Sequence, residues 1–199
     1  MIHREQLVSK CLPKDMKDVM SQAIQIVNFI KSRPLKSRLF AELCESIKSE
    51  YKCLLYHTEV CWLSKGKVLK RLLQLTLEVR NFIKSETDKF DKFINNEIWW
   101  TQISFLSNIF DKLNELNLSL QGPDENIITS TSKMTAFREK LILWKSKISD
   151  GVFDCYPSVN ASNLKQELAS IILATLSELH LSLDHNFPSP SIADFDCCH

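Results

Sequence analysis

The segment EIWWTQISFLSNIFDKLNELNLSL, residues 97–120, repeats apolar side chains at the spacing of an α-helix. The steps are three or four residues, which matches the 3.6-residue turn. The repeating residues are Trp99, Ile103, Leu106, Phe110 and Leu113. Gly122 and Pro123 end the pattern, because proline cannot continue the hydrogen bonds of a helix. The segment therefore predicts one long amphipathic helix from about residue 97 to about residue 120.

The same spacing recurs before and after this segment, each time with a polar opposite face. The chain of 199 residues also has only three glycines, which leaves few positions for the positive φ angles of tight hairpins. The fold class predicted is all-α, a multi-helix bundle with five amphipathic helices. The other four repeats are Met16, Met20, Ala23, Val27, Ile30; Val68, Leu72, Leu75, Val79, Phe82; Ile127, Met134, Phe137, Leu141, Trp144, Ile148; and Leu164, Leu168, Ile172, Leu176, Leu179, Leu183.

Local signals place the helix ends. Pro34 predicts that the first helix stops near Ser32 and that a shorter helix covers residues 35–49. Ser64 is predicted to cap a helix that begins at Lys65, and Gly151 is predicted to end the fourth long helix.

Between residues 52 and 63 the helical period gives way to alternation. Leu54, Tyr56, Val60 and Trp62 follow one another at steps of two, four and two residues. Alternation is typical of a strand, so this stretch predicts a short extended segment.

The composition is that of an ordinary globular protein, with 44% hydrophobic and 25% charged residues. There is no apolar run of eighteen or more residues and no secretory signal, so we expect a soluble protein with no membrane partner. Seven cysteines without regular spacing indicate a reducing compartment and no obligatory disulfide. The predicted location is intracellular, in the nucleus or the cytoplasm.

The net charge of +1 is unevenly distributed. Residues 1–80 carry 15 basic and 8 acidic side chains, whereas residues 81–199 carry 10 and 16. The basic half has two possible partners, which are phosphates and the acidic half of its own chain. The second interpretation is the favoured one.

One set of side chains resembles a metal site on paper. Cys53, His57 and Cys61 lie four residues apart in series, but in a strand or a helix the first and third are about 12 Å or more apart, too far to share one zinc ion. The same spacing separates His57 from Cys61 too widely for a catalytic pair. No two glycines are close enough for a phosphate loop. We expect no catalytic residue, metal, cofactor or small-molecule substrate.

Two basic clusters, residues 31–38 and 65–71, are the remaining candidates. The second lies at a predicted helix start beside Trp62, the combination that phosphate contact plus base stacking uses. Its DNA-contact candidates are Trp62, Lys65, Lys67, Lys70 and Arg71. The alternative is a solvated face with Trp62 in the core, and charge and spacing alone favour it.

Five strings of the sequence resemble one family in order and spacing, from residue 1 to about residue 195. The chain is similar to the hAT superfamily of DNA transposases, above all to its domesticated vertebrate branch of BED-type zinc-finger and SCAN-domain-containing proteins. The strings are IHRE from Ile2, IVNFIKSRPLKSRLFAELCE from Ile26, LLYHTEVCWLSKGKVL from Leu54, FDKLNELNLSLQG from Phe110 and KMTAFREKLILWKSKISDGVFDCYPS from Lys133.

The resemblance implies that the chain is not an enzyme. Such transposases cut DNA with three metal-binding acidic residues of an RNase H-like domain, which a helical insertion interrupts between the second and the third. This chain is expected to begin after the second acid and to end before the third. A two-metal nuclease cannot work without its carboxylates.

The resemblance also marks three family motif positions, His3, Cys61 and Trp62. His3 matches the histidine of a Cys-x-x-His motif whose cysteine would precede Met1. The family usually has Arg-Trp where this chain has Cys61-Trp62, and in related transposases that tryptophan stacks on a base flipped out at the cut site. A neutral thiol cannot replace the cation and the bidentate reach of that arginine.

The expected organisation has three parts: residues 1–12 as a remnant of the RNase H-like region, residues 13–187 as the helical insertion domain, and residues 188–199 as a disordered tail. The expected function is that of a non-catalytic, truncated transposase-derived protein, nuclear by resemblance, with weak non-specific DNA contact. The alternatives are a helical module that binds nuclear proteins and a relic without a selected function.

Overall fold

The computed structural model describes residues 12–55, 62–121, 126–154, 156 and 165–186, and every regular element in these ranges is helical. This confirms the all-α prediction for the described part of the chain, which holds eight α-helices and one short 3₁₀ turn, Asp88–Phe90, and no strand. The helices are α1 Lys14–Lys31, α2 Pro34–Ser46, α3 Trp62–Gln74, α4 Thr76–Glu86, α5 Asp91–Ile94, α6 Glu97–Ser119, α7 Ile127–Ser149 and α8 Lys165–Asn186.

Helix α6 is the centre of the bundle. It contacts α1, α3, α5, α7 and α8, and its closest neighbour is α3. Because helices surround it, α6 is buried on more than the one face that its period of three and four residues predicts. Its buried residues are Trp99, Trp100, Ile103, Ser104, Phe105, Leu106, Ser107, Ile109, Phe110 and Leu113.

Side chains cap the two longest helices at their first turns. The Asn96 carboxamide accepts hydrogen bonds from the first turn of α6. Asn126 does the same for α7, and the Thr129 hydroxyl accepts a hydrogen bond in return from the Asn126 main-chain N–H. Such reciprocal caps satisfy donors that no helical carbonyl can reach. At the other end of α7, Gly151 adopts a φ of 74°, the left-handed conformation that ends helices.

Two predicted helix boundaries agree with the structure and one does not. Helix α1 ends at Lys31, beside the predicted stop near Ser32, and α2 begins at Pro34, one residue before the predicted start. Helix α2 stops at Ser46 rather than Ser49, because Lys48 takes a left-handed φ of 59° that reverses the chain.

The prediction of an extended segment at residues 52–63 was wrong for its last two residues. Helix α3 begins at Trp62, so Trp62 and Leu63 are helical rather than extended and the helix does not start at Lys65. Trp62 lies two turns before Leu69, so it fits the helical period as well as the preceding alternation. Residues 56–61, the middle of the predicted extended segment, lie outside the described residues.

The helix predicted from Lys65 onward is two helices. The chain breaks at Leu75, whose φ of −111° and ψ of 27° are not helical, and α4 starts at the next residue. The Thr76 hydroxyl donates to the Leu73 carbonyl at 2.7 Å and replaces one of the main-chain bonds lost there. Apolar spacing continues through the break, which is why the sequence did not reveal it.

The two ends of the predicted organisation are mostly outside the described residues. Of the predicted RNase H-like remnant at residues 1–12, only Leu12 is described, and it is buried in the helical core at 3% exposure. The predicted tail at residues 188–199 is entirely outside.

Arg138 joins α7 to the end of α8. Arg138 is 8% exposed, and its guanidinium donates to the Leu183 carbonyl at 3.0 Å and lies 3.1 Å from an Asp184 carboxylate oxygen. His180 contacts the other oxygen of Asp184 at 3.1 Å. A cation beside the last carbonyls of a helix interacts favourably with its dipole. This contact helps to fix the α7–α8 pair, which packs closely along its length.

The crossing of α3 and α6 depends on Gly66. A Cβ atom added at Gly66 would lie 3.0 Å from the Phe110 Cβ and 3.4 Å from the Asn114 Nδ2. The Phe110 Cβ is fixed to the α6 main chain, so it cannot move aside as the end of a long side chain could. Glycine weakens a helix by about 1 kcal/mol relative to alanine. Here its absence of a side chain allows the two helices to approach.

We expect Gly66→Val to lower the free energy of unfolding by about 1–3 kcal/mol, the usual cost of overpacking a core. Urea denaturation measures it. The matched control is Lys67→Val, which puts the same β-branched residue at the next, exposed position of the same helix. Equal losses in the two variants would show that the α3–α6 approach does not depend on Gly66.

Candidate functional site

The four basic candidates on α3 do not share one face. Lys67, Lys70 and Arg71 fall within one turn on the outward side of the helix, because residues three and four apart are neighbours. Lys65 lies on the opposite side, with Leu69 four residues and Leu72 seven residues after it. Lys65 is half-buried, and this burial lowers the pKa of its ammonium group. It is therefore poorly placed to act with the other three.

Lys70 is paired within the bundle. Its Nζ lies 3.2 Å from Asp111 Oδ2 on α6. Both side chains are well exposed, so this ion pair contributes little stability, but it places a carboxylate where a phosphate would bind. A DNA backbone would have to displace Asp111 or be repelled by it.

Arg71 holds the segment before α3 in place. Its Nη1 donates to the Cys53 carbonyl at 3.2 Å, and its guanidinium lies 3.7 Å from the centre of the Tyr51 ring. Its Nε donates to Gln74 Oε1 at 3.3 Å. A guanidinium that stacks on a ring and bonds a carbonyl has a structural role. The sequence did not indicate this role, because Tyr51 and Cys53 are about twenty residues away.

Lys67 is different from its neighbours. It is exposed, and within the described ranges no ion pair involves it. Of the DNA-contact candidates whose side chains are described, Lys67 alone is both exposed and without an ion pair.

The two halves of the chain meet through ion pairs. Three of them join a cation from residues 1–80 to a carboxylate from residues 81–199. They are Lys36–Glu86 at 3.7 Å, Lys70–Asp111 at 3.2 Å and Arg80–Glu97 at 2.7 Å. These contacts support the interpretation that the basic half meets the acidic half of its own chain.

An open groove of about 570 Å³ runs between α3 and α6. Its charged lining residues are Lys70 and Asp111, which neutralise each other, so it presents no net charge to a ligand. The lining is completed by Leu73, Gln74, Ser104, Ser107 and Asn108.

The three family motif positions are only partly described. His3 and Cys61 lie outside the described residues, and for Trp62 the structure describes the main chain but not the side chain. Position 62 begins α3, one turn before Gly66. Base stacking by Trp62 and its alternative, a place in the core, both stay predictions.

No three His, Cys, Asp or Glu side chains among the described residues could hold one metal ion. Cys53 is exposed, whereas His57 and Cys61 of the same series lie outside these ranges. No helix in the described part is long and apolar enough to cross a membrane.

A buried polar cluster escaped the sequence analysis. The Cys44 thiol on α2 is fully buried near Glu78 of α4, which is itself only 7% exposed. The Ser49 hydroxyl donates a hydrogen bond to the Glu78 carboxylate. Burial above all, together with the nearby carboxylate of Glu78, raises the pKa of Cys44 from 9.0 to about 11. The helix packing keeps this thiol neutral.

This shift predicts a loss of stability at alkaline pH. The unfolded thiol ionises near pH 9 and the folded thiol near pH 11, so the folded state binds more protons between these values. Stability should therefore fall as the pH rises from about 9 to about 11. Urea midpoints measured across this range should fall less steeply for Cys44→Ala than for the natural chain, with Cys53→Ala as the exposed control. Parallel curves for all three chains would contradict the shift.

Comparison with known proteins shows what this chain is similar to. A family model described as the FAM200/GTF2IRD2 helical domain matches residues 1–149. General transcription factor II-I repeat domain-containing protein 2 of Bos taurus is 32% identical over 160 residues, which cover 80% of this chain. The chain spans only 16% of the length of that relative. No solved structure matches the chain.

Proposed function

Because the chain belongs to the FAM200/GTF2IRD2 helical domain family, we propose that it is a non-enzymatic, transposase-derived domain that binds other proteins in the nucleus. The sequence resemblance to hAT transposases supports the origin. The name of the bovine relative, a repeat-domain protein of general transcription factor II-I type, supports the nuclear location.

Exposed apolar side chains on two helices carry the proposal. On α7, Ile142 and Leu143 are adjacent and are 55% and 54% exposed. On α2, Leu35 and Leu39 are one helical turn apart and are 61% and 39% exposed. Single exposed leucines are ordinary, but exposed apolar residues that lie close together mark contact surfaces. Leu35 and Leu39 share one helix face, and Ile142 and Leu143 lie about a quarter turn apart on α7. An interaction domain explains why these positions are not polar.

The test is affinity capture from nuclear extract with the purified chain as bait and quantitative mass spectrometry as readout. We expect a reproducible set of proteins that is lost when either Leu35 and Leu39 or Ile142 and Leu143 are changed to aspartate. Matched controls are Ser46→Asp on α2 and Ser146→Asp on α7, both exposed. If the apolar variants and the serine controls retain the same set, neither face binds a partner.

A second candidate function is weak, non-specific DNA contact, and the exposure of Lys67 favours it. The engagement of Lys70 and Arg71 within the bundle limits the number of phosphates that α3 can neutralise. Cys61 adds no cation at the position where the hAT transposases that the sequence resembles usually have arginine.

For this candidate we expect a shallow salt dependence. Each phosphate neutralised contributes about −0.9 to the slope of log affinity against log salt. Fluorescence anisotropy with duplex DNA should give a slope near −1, which Lys67→Ala removes and Lys70→Ala preserves. Cys61→Arg should steepen the slope and tighten binding if the family site persists. A slope near −4, reduced equally by each lysine variant, would show instead that the whole α3 cluster binds.

A further inference from the structure

Helix α7 is strongly basic although it lies in the acidic half of the chain. Between Ile127 and Ser149 it carries five basic residues and one acidic residue, Glu139. Arg138 is engaged with Asp184. Lys140 and Lys147 make no ion pair within the described part of the chain.

Three of the four lysines of α7 belong to a heptad pattern, and Lys145 lies outside it. Six positions follow one another at alternating steps of four and three residues, the spacing of a coiled-coil seam. One position of each heptad is lysine and the other is threonine, alanine or leucine. In chain order the α7 seam is Thr129, Lys133, Ala136, Lys140, Leu143 and Lys147.

The α7 seam faces outward in its central part. Ala136 and Lys140 are exposed, and Leu143 is 54% exposed. Lys133 also donates to the Ser119 carbonyl, so the inference rests on Lys140 and Lys147. The buried face of the helix lies to one side, with Phe137, Leu141 and Trp144 packed in the core.

A third ammonium group lies beside this seam. Lys112 of α6 places its Nζ 4.6 Å from the centre of the Trp144 ring. Trp144 lies one turn after Lys140 and one turn before Lys147, so Lys112 contacts a residue that neighbours both lysines along the helix. Glu139 is exposed but lies about a quarter turn away from Lys140, outside the seam.

We propose that the α7 seam is the docking face of this domain and that its partner is an acidic amphipathic helix. The partner places carboxylates against Lys140 and Lys147 and apolar side chains against Ala136 and Leu143. This assignment rests on the proposed protein-binding function and names the chemistry of its partner.

The alternatives fit the α7 seam less well. A phosphate backbone would satisfy the lysines, but it has no apolar surface to cover Leu143. A parallel second copy would set lysine against lysine at every charged seam position, and like charges in contact oppose association. Charge complementarity therefore favours a different, acidic helix.

The experiment uses the full chain and a fluorescent three-heptad peptide with leucine and glutamate at its two seam positions. We expect saturable binding in an anisotropy titration that weakens as salt is added. Lys140→Glu combined with Lys147→Glu should weaken it by at least about tenfold, because attraction becomes repulsion. The matched control is Lys84→Glu combined with Lys92→Glu, which changes two exposed lysines on α4 and α5 and should bind as the natural chain does.

A charge-swapped peptide gives a second, independent readout. With lysine in place of glutamate it should bind the Lys140→Glu, Lys147→Glu chain better than the natural chain, which also shows that the variant is folded. Equal binding by the natural chain and the α7 variant overturns the proposal, and so does duplex DNA binding that only the α7 variant loses. If the peptide does not bind but Leu35 and Leu39 are needed for protein capture, the α7 assignment fails while the protein-binding function stands.

Discussion

The close approach of α3 to α6 at Gly66 is the constraint on which the bundle depends. Within the described part of the chain, α6 packs against five helices, and its most extensive contact is the one with α3. A hydrogen atom at residue 66 allows that crossing, because even a methyl group would meet the Phe110 Cβ at 3.0 Å. The direction of α3 then determines where Arg71 meets Tyr51, and hence where the segment before α3 lies. A glycine that weakens one helix thus determines the position of several elements.

The crossing of α3 and α6 also explains why the basic residues of α3 do not form one surface. Because α3 lies along α6, Lys70 is within reach of Asp111, and Lys65 lies partly among apolar residues. In the sequence, the basic residues of α3 resemble a surface for phosphates. In the structure, Lys65 lies at the edge of the core, Lys70 pairs with Asp111, and Arg71 contacts the Tyr51 ring. Lys67 is left facing solvent. Part of the charge asymmetry of the sequence therefore serves contacts between the two halves of the chain.

Sequence reasoning predicted the parts of this fold that follow from local chemistry. The α6 period, the start of α2 at Pro34 and the left-handed Gly151 each depend on neighbouring residues, so they can be read from the chain. The break at Leu75 could not be read, because the apolar spacing continues through it. The contacts of Arg71 and the burial of Cys44 beside Glu78 depend on residues that are distant in sequence. The candidate site was predicted as a set of residues, but not as an arrangement, for the same reason.

The Arg138 contact shows that the packed helices of this chain continue beyond the residues that match the family model. The family match stops at Ser149, the last residue of α7, whereas Asp184 and Leu183 of α8 hold Arg138 from beyond that limit. Leu168, Ile172, Leu176 and Leu179 of α8 are buried in the same core as the apolar face of α7. The residues that match the family model and the helices that pack into one core therefore have different boundaries. A recombinant fragment of this chain that stops at residue 149 would expose to water the apolar face of α7 that α8 covers.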